Sequence, residues 1–333
     1  MKLNQQLCLK RRPVGEITRD DFFLNEKKIP ELDDGQFLVR NQYISIDPAM
    51  RGWMQDRESY FPPVGIGEPM RGLTVGCVEA SRHPHYSVGD MATGMLNLQS
   101  YAVSDGFQIR KVDINFAPAS SWLSGLGMPG ITAYFGLMDV GRPKAGDTVV
   151  VSAAAGAVGS IVGQIAKNLG CRVIGIVGCE KKCRFVTNSL GFDAAINYKT
   201  DSLHERLREF CPDKIDVYFD NVAGKILDTV LPFMNKFGRI PLCGVISSTE
   251  NNPTNLTNIS SLLVNRILIR GFIMSDYVPR LREAVEHLMG WYKSGRLVLH
   301  EDIREATLEQ FPDMINHLFQ GRNFGKLVMK IGH

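Results

Sequence analysis

No Cys-x2-Cys pair occurs in this chain of 333 residues, although it carries seven cysteines. A structural zinc site needs four closely spaced thiolates, so that class is excluded. The cysteines are odd in number and scattered without pattern, which points to free thiols in a reducing compartment rather than a disulfide framework. A strong charge of one sign is missing too. Thirty-eight basic against 35 acidic side chains leave a net charge of +3, too balanced for nucleic-acid binding. No apolar run approaches membrane-spanning length, and Met1-Lys-Leu-Asn-Gln-Gln lacks the apolar core of a secretion signal. There are no internal repeats and no low-complexity stretch. The expectation is a cytoplasmic protein whose length fits two domains.

What is present is concentrated in Thr148-Val-Val-Val-Ser-Ala-Ala-Ala-Gly-Ala-Val-Gly-Ser160. A β-rich segment, Thr148 to Ser152, runs through small residues into a helical pattern from Ala157, with Ile161, Ile165 and Leu169 on one apolar face. A strand turning through glycine into a helix aims backbone N–H groups and the positive dipole end at one point, where a dinucleotide pyrophosphate would sit. The spacing Ala153-x-x-Gly156-x-x-Gly159 departs from G-x-G-x-x-G but keeps its physical demands. A buried helix crossing at close range would read alike.

Arg172 to Val177 is a second strand at βαβ spacing. An NAD site would place an acid at its end to hold the ribose 2′-hydroxyl; here stand Gly178 and Cys179, followed by Glu180, Lys181, Lys182 and Arg184. Cations without a carboxylate favour the 2′-phosphate of NADP, although a solvated basic helix start has the same composition. The alternation continues with strands at Ala194–Tyr198, Asp216–Val222, Gly238–Gly244 and Ile267–Met274, and helices at Leu203–Phe210 and Ile226–Met234. The prediction is a doubly wound parallel sheet with helices on both faces. Asn221, Cys243, Gly244 and Phe272 to Met274 then fall at the carboxyl edge, where such sheets bind ligands.

Before about Gln99 the chain is rich in Pro and Gly with short apolar runs, Phe37 to Ile46 and Leu73 to Val78, as in a β barrel or sandwich. Lys326-Leu-Val-Met-Lys-Ile331 returns to that style and is expected to rejoin the first domain. The cleft between domains is the default active site. Catalytic zinc is not expected: Asp47-Pro-Ala-Met-Arg51 supplies neither Cys nor His, and His83 and His85 flank Pro84 in what reads as a solvated turn.

With these motifs in order the chain resembles the medium-chain dehydrogenase/reductase superfamily. Within it, the likeness is to the zinc-free NADP-dependent alkenal/alkenone double-bond reductases, among them leukotriene B4 dehydrogenase/prostaglandin reductase and curcumin-reductase-like enzymes. The resemblance spans nearly the whole chain. It is carried by Ile46-Asp-Pro-Ala-Met-Arg-Gly-Trp-Met54, Gly127-Met-Pro-Gly-Ile-Thr-Ala-Tyr-Phe-Gly136, Ala153 to Lys167 and Gly191-Phe-Asp-Ala-Ala-Ile-Asn-Tyr-Lys199. Phe219-Asp-Asn-Val222, Cys243-Gly-Val-Ile-Ser247 and Asn323-Phe-Gly-Lys326 complete it.

The resemblance implies an α/β fold: a Rossmann doubly wound parallel sheet over residues 126–304, and a mostly β GroES-like catalytic domain from 1–125 and 305–333. It implies NADP as cofactor, with Gly156, Ala157, Val158 and Gly159 on the pyrophosphate, and Lys182 and Tyr198 at the adenosine phosphate. Asn221, Cys243, Gly244, Ile246, Ser247, Phe272, Ile273, Met274 and Asn323 would line the nicotinamide half. Taken alone, Tyr198 also reads as an edge-strand aromatic, Asn221 as a turn former and Cys243 as a small buried hydrophobe. The implied reaction is NADPH-dependent reduction of the C=C bond of an α,β-unsaturated aldehyde or ketone, without zinc; delocalising the charge to an enolate suits a metal-free site.

Many relatives carry a tyrosine where this chain has Ala49, and another in the loop where Ser248 and Thr249 follow Ser247. Tyr60, in a Pro-rich loop, is the preferred proton donor, with Tyr43, Tyr277 and the cofactor's ribose hydroxyl as alternatives. Ala49, with Trp53 and Met54 close by, implies a roomier, more apolar pocket. The expected partners are a small enal or enone and a second copy of the chain, paired through the apolar edge Ile267 to Met274. Quinone reduction and a non-catalytic NADP-binding role remain open.

Overall fold

The computed structural model describes residues 2–247 and 255–332. They form two compact units, one running to Leu123 and resuming at Glu301, the other spanning Ser124–His300.

In the first unit β1 (Leu3–Leu9) pairs antiparallel with β2 (Phe22–Lys28). A larger sheet begins with β3 (Phe37–Ser45), which leads into the short helix α1 (Ala49–Trp53). It continues with β4 (Thr74–Ser81), β5 (Met91–Gly94), β6 (Tyr101–Ser104) and β7 (Arg110–Val112).

The second unit starts at α2 (Met128–Phe135) and then alternates. Its elements are β8 (Thr148–Ser152), α3 (Gly159–Asn168), β9 (Arg172–Val177), α4 (Glu180–Asn188), β10 (Ala194–Asn197) and α5 (Leu203–Phe210). Next come β11 (Ile215–Phe219), α6 (Gly224–Val230), β12 (Met234–Leu242), α7 (Ser260–Asn265), β13 (Leu268–Gly271) and α8 (Leu281–Lys293). The chain then returns to the first unit with β14 (Glu301–Ala306), α9 (Phe311–Phe319) and β15 (Lys326–Ile331).

Strand β15 lies antiparallel to β3, Met329 opposite Ile44, and parallel to β14. The two halves of β3 divide one edge, Phe37 to Arg40 taking β6 and Tyr43 to Ser45 taking β15. Leu327, Met329 and Ile331 therefore share a core with Leu7, Ile44, Met50 and Trp53.

The second unit is one parallel sheet in the order β10-β9-β8-β11-β12-β13. Its strands are the near-continuous apolar runs that burial on both faces demands; all five residues of β8 are buried. Val150, Ile174, Ile176, Ile196, Tyr218 and Ile240 face Leu207 of α5 and Leu227 and Val230 of α6. Helix α3 packs on β8 and β9 and also against α2. Being covered on two sides, it buries Val162, Gln164 and Ala166 as well as Ile161 and Ile165, whereas Leu169 lies just beyond its end. A Cβ at Gly163 would lie 1.8 Å from Phe192 Cζ. Gly163→Ala overpacks that contact, so the melting midpoint is expected to fall by roughly 3–10 °C. An unchanged midpoint in a thermal melt would mean that Phe192 moves aside freely.

Several expected boundaries shift. The segment Asp216–Val222 is a strand only as far as Phe219, and the helix expected over Ile226–Met234 is α6 followed by a tighter turn, Leu231–Phe233. Strand β12 starts at Met234 rather than Gly238: Phe237 adopts φ +63°, and the pairing with β11 slips between Ile215 and Val217. Ile267–Met274 contracts to Leu268–Gly271, because Phe272 turns inward onto Phe219, ring centroids 6.1 Å apart.

Candidate functional site

All six strands of the second unit run in one direction, so the residues following them gather along one edge of the sheet. The strand order reverses between β8 and β11, the place where sheets of this kind open a crevice.

After β8 the chain turns sharply. Ala153 takes φ +48°, and Gly156 N donates to Ala153 O at 2.9 Å. Ala154 N donates to Ile176 O at 3.2 Å, tying the turn to the end of β9. A Cβ at Gly159 would stand 2.5 Å from Ala153 O, so only glycine allows the first turn of α3 to sit this close to its own approach strand. Gly156, Ala157 and Val158 are half-buried and lead directly into α3. Ser160 N and Ile161 N already donate, to Gly156 O and Val158 O, so the cradle is the turn ahead of them, at the positive end of a ten-residue helix. That cradle fits a pyrophosphate.

Beyond β9, Cys179 caps α4 and Lys182 is buried within the helix's first turn. Tyr198 N donates to Val177 O at 3.0 Å. The Tyr198 ring, 44 % exposed, lies over Gly178, whose Cβ would meet Tyr198 Cε1 at 3.3 Å and Lys199 Cε at 3.5 Å. Lys199 is thus a second cation at this corner that the sequence reading overlooked. Its signal was its place immediately after Tyr198, at the end of the neighbouring strand.

Across the reversal point Asn221 is locked in place. Its backbone N donates to Ser152 Oγ and its Nδ2 to Ser152 O, both at 2.8 Å. The preceding Asp220 is wholly buried, and burial raises its carboxyl above the ordinary range despite the donors around it. Cys243 N and Gly244 N donate to Asp220 O at 2.8 and 3.2 Å. Gly244 is required there, since a Cβ would lie 2.8 Å from Asn221 O. Burial, with Asp220 nearby, pushes the Cys243 thiol up to about 12, which leaves it neutral at pH 7 and no nucleophile. Ser247 Oγ donates to Val222 O at 2.7 Å, and Ile246 is exposed beside it. Ser248 and Thr249 lie outside the described residues. Ile273 and Met274 follow β13 half-buried, whereas the Phe272 side chain packs on Phe219 and leaves only its backbone toward this edge.

The remaining residues belong mostly to the first unit. Asn323 is buried, its Nδ2 donating to Gly325 O at 2.8 Å. Tyr60 is 52 % exposed on the loop after α1, its ring against Phe61. That loop is pinned at its base: Arg12 Nη1 donates to Met54 O and Val64 O, and Arg71 Nη1 to Pro62 O at 2.8 Å. Tyr43 is half-buried on β3 opposite Lys330. In the second unit, Tyr277 is buried and stacked on Phe135 at 4.3 Å, which makes it a packing residue. Ala49 is half-buried against the core to which Trp53 and Met54 belong.

A phosphate cradle at the reversal point of such a sheet marks the second unit as a dinucleotide-binding domain. Residues 5–112 match the family model described as the N-terminal domain of oxidoreductase, and residues 157–291 the one described as zinc-binding dehydrogenase. The NADPH-dependent curcumin reductase of Escherichia coli is 42% identical over 98% of this chain and 97% of its own. The 2-alkenal reductase (NADP(+)-dependent) of Nicotiana tabacum is 38% identical over the same shares. The crystal structure of CurA from Vibrio vulnificus in complex with NADPH superposes with a TM-score of 0.92 at 43% identity, covering 99% of both chains. This chain belongs to the medium-chain dehydrogenase/reductase family.

The zinc of the second model's description does not fit the residues present. Among the described residues, no group of three or more His, Cys, Asp or Glu side chains could hold a metal ion. Asp47, at the start of Asp47-Pro-Ala-Met-Arg51, is held instead by Lys326. The buried Lys326 Nζ donates to Asp47 Oδ1 at 2.7 Å and to Ile46 O at 2.6 Å, while Ser45 Oγ donates to the other carboxylate oxygen.

Proposed function

We propose that this protein is an NADPH-dependent, zinc-independent reductase of C=C bonds conjugated to an aldehyde or ketone. The observation that carries the cofactor choice is the corner beyond β9, where Gly178 and Cys179 stand in place of an acid, Tyr198 and Lys199 lie over Gly178, and Lys182 follows in the first turn of α4. The names of the curcumin and alkenal reductases above support the substrate class.

When bound, NADPH supplies a hydride from its nicotinamide C4 to the β-carbon of the acceptor. The chain's own residues bind and orient. The Gly156–Gly159 turn and the start of α3 take the pyrophosphate, and Lys182 with Tyr198 takes the 2′-phosphate. Asn221, Cys243, Gly244, Ile246 and Ser247, the backbone at Phe272 with Ile273 and Met274, and Asn323 hold the nicotinamide half. As charge moves onto the carbonyl oxygen, a hydrogen bond from the Tyr60 phenol would stabilise the enolate, and a solvent-derived proton passed on by that phenol would add at the α-carbon to complete the reduction.

The test is a panel of enals, enones, quinones and saturated aldehydes with NADPH, run with and without a chelator. Turnover of enals and enones alone, unaffected by the chelator, is the expected result. Turnover of quinones alone would reassign the activity, and binding of NADPH with no turnover would make the protein a sensor or structural element.

We also propose a homodimer, cytoplasmic in location. Strand β13 is the edge of its sheet. Leu268 is 55 % exposed, beside Ile259, Leu263 and Val264 at 57 %, 81 % and 63 %. An unpaired edge bordered by exposed apolar side chains is the surface that a second copy would cover. Leu263→Asp should shift the mass from light scattering from dimer toward monomer. A wild type that is monomeric at working concentration refutes the pairing.

A further inference from the structure

Asp220 has no part in the reaction proposed above, yet it ties three strand ends together. Four donors converge on its Oδ1, each at 2.9 Å: Ser152 Oγ, Tyr218 Oη, Val222 N and Ala223 N. Its Oδ2 is buried with no hydrogen-bond partner. A carboxylate offers about four acceptor sites over its two oxygens, and here every donor is gathered on one of them, which makes Oδ1 the point these groups share. Its backbone extends the node, for Asp220 N donates to Pro241 O at 2.9 Å and its carbonyl accepts from Cys243 and Gly244. Oδ1 thus ties the end of β8 to the end of β11 and the turn after it, and the Asp220 backbone holds the end of β12.

Two features depend on that oxygen. Ser152 Oγ, oriented by donating to it, accepts from Asn221 N and so sets the asparagine. Ala223 holds φ +61° and ψ −151°, a conformation essentially confined to glycine, which persists only where its surroundings over-determine it. Its N–H bond to Oδ1 is one such constraint.

We propose that Asp220 is a positioning residue, whose Oδ1 sets Asn221 and the strained Val222–Gly224 turn for the nicotinamide half of the cofactor. This rests on the NADPH reading above. The experiment measures KM for NADPH and kcat for an enone, the latter per binding-competent molecule counted by NADPH fluorescence. Asp220→Ala removes the node; KM is expected to rise and kcat to fall, each by roughly ten-fold. Asp220→Asn keeps the acceptor oxygen and should stay within about three-fold of wild type. If the alanine variant does not fold, Tyr218→Phe and Ser152→Ala each withdraw one donor, and KM should rise by about three- to ten-fold.

Wild-type KM and kcat per competent molecule in Asp220→Ala, whatever its yield or melting point, would overturn the proposal by leaving only a structural role. So would an asparagine variant as impaired as the alanine variant, because charge rather than acceptor geometry would then matter. Unchanged parameters in both donor variants would do the same. A wild type with no NADPH fluorescence response would remove the cofactor reading itself, and this proposal with it.

Discussion

Lys182→Ala should raise the Michaelis constant for NADPH ten- to a hundred-fold and leave that for NADH nearly unchanged. A carboxylate is missing at the end of β9. In sheets of this order an acid at the end of the second strand of the βαβ unit accepts from the ribose 2′-hydroxyl, and here that position is Gly178-Cys179. Lys182 lies in the first turn of α4, buried to 8 % exposure, and Tyr198 and Lys199 converge on Gly178 from the next strand. A charge-assisted hydrogen bond to a phosphate contributes about 1.5–3 kcal/mol, the free-energy equivalent of that change in affinity. NADH carries no 2′-phosphate and therefore has nothing to lose. Equal losses for both cofactors would place Lys182 in folding or in the shared half of the ligand.

Tyr60→Phe should lower kcat about a hundred-fold with NADPH affinity intact, as loss of one preorganised donor to a developing oxyanion does. Tyr60 stands on a loop whose base is held by Arg12 and Arg71 and whose ring rests on Phe61. The alternatives are weaker in this structure. Tyr277 is stacked on Phe135 with its phenol raised above the ordinary range by burial, and Tyr43 sits within β3. Near-wild-type turnover in Tyr60→Phe would pass the proton to a ribose hydroxyl or to water.

Much of the second unit was legible because burial on both faces leaves short apolar runs between amphipathic helices. Strands β8 and β9 and helix α5 fall where periodicity put them, and β15 joins β3 as its composition suggested. The misreadings have local causes. Phe237 at φ +63° lets β12 begin before Gly238, an irregularity that hydrophobic patterning does not encode. The ring of Phe272 fills the space beside Gly136 and Phe219, a contact set by distant parts of the chain, so spacing alone does not give its direction. In the sequence Asp220 is part of a strand end and of the Phe219-Asp-Asn-Val222 motif, with no sign of its hydrogen bonds. Its partner Ser152 is 68 residues away, and nothing in the spacing signals that the two meet. Lys326 was likewise seen as the start of a strand rather than as the ion-pair partner of Asp47.

The central claim is hydride delivery to the β-carbon of a conjugated carbonyl from a cofactor held at the edge of the second unit's sheet. The most direct measurement is mass spectrometry and NMR of the product formed from an enone with NADPH deuterated at C4, on the face each enzyme selects. Both labelled faces are tried separately. The account predicts a saturated ketone with one deuterium on the β-carbon from one of the two, and a solvent-derived hydrogen on the α-carbon. An allylic alcohol labelled at the carbonyl carbon, or a saturated product without label from either face, would contradict it.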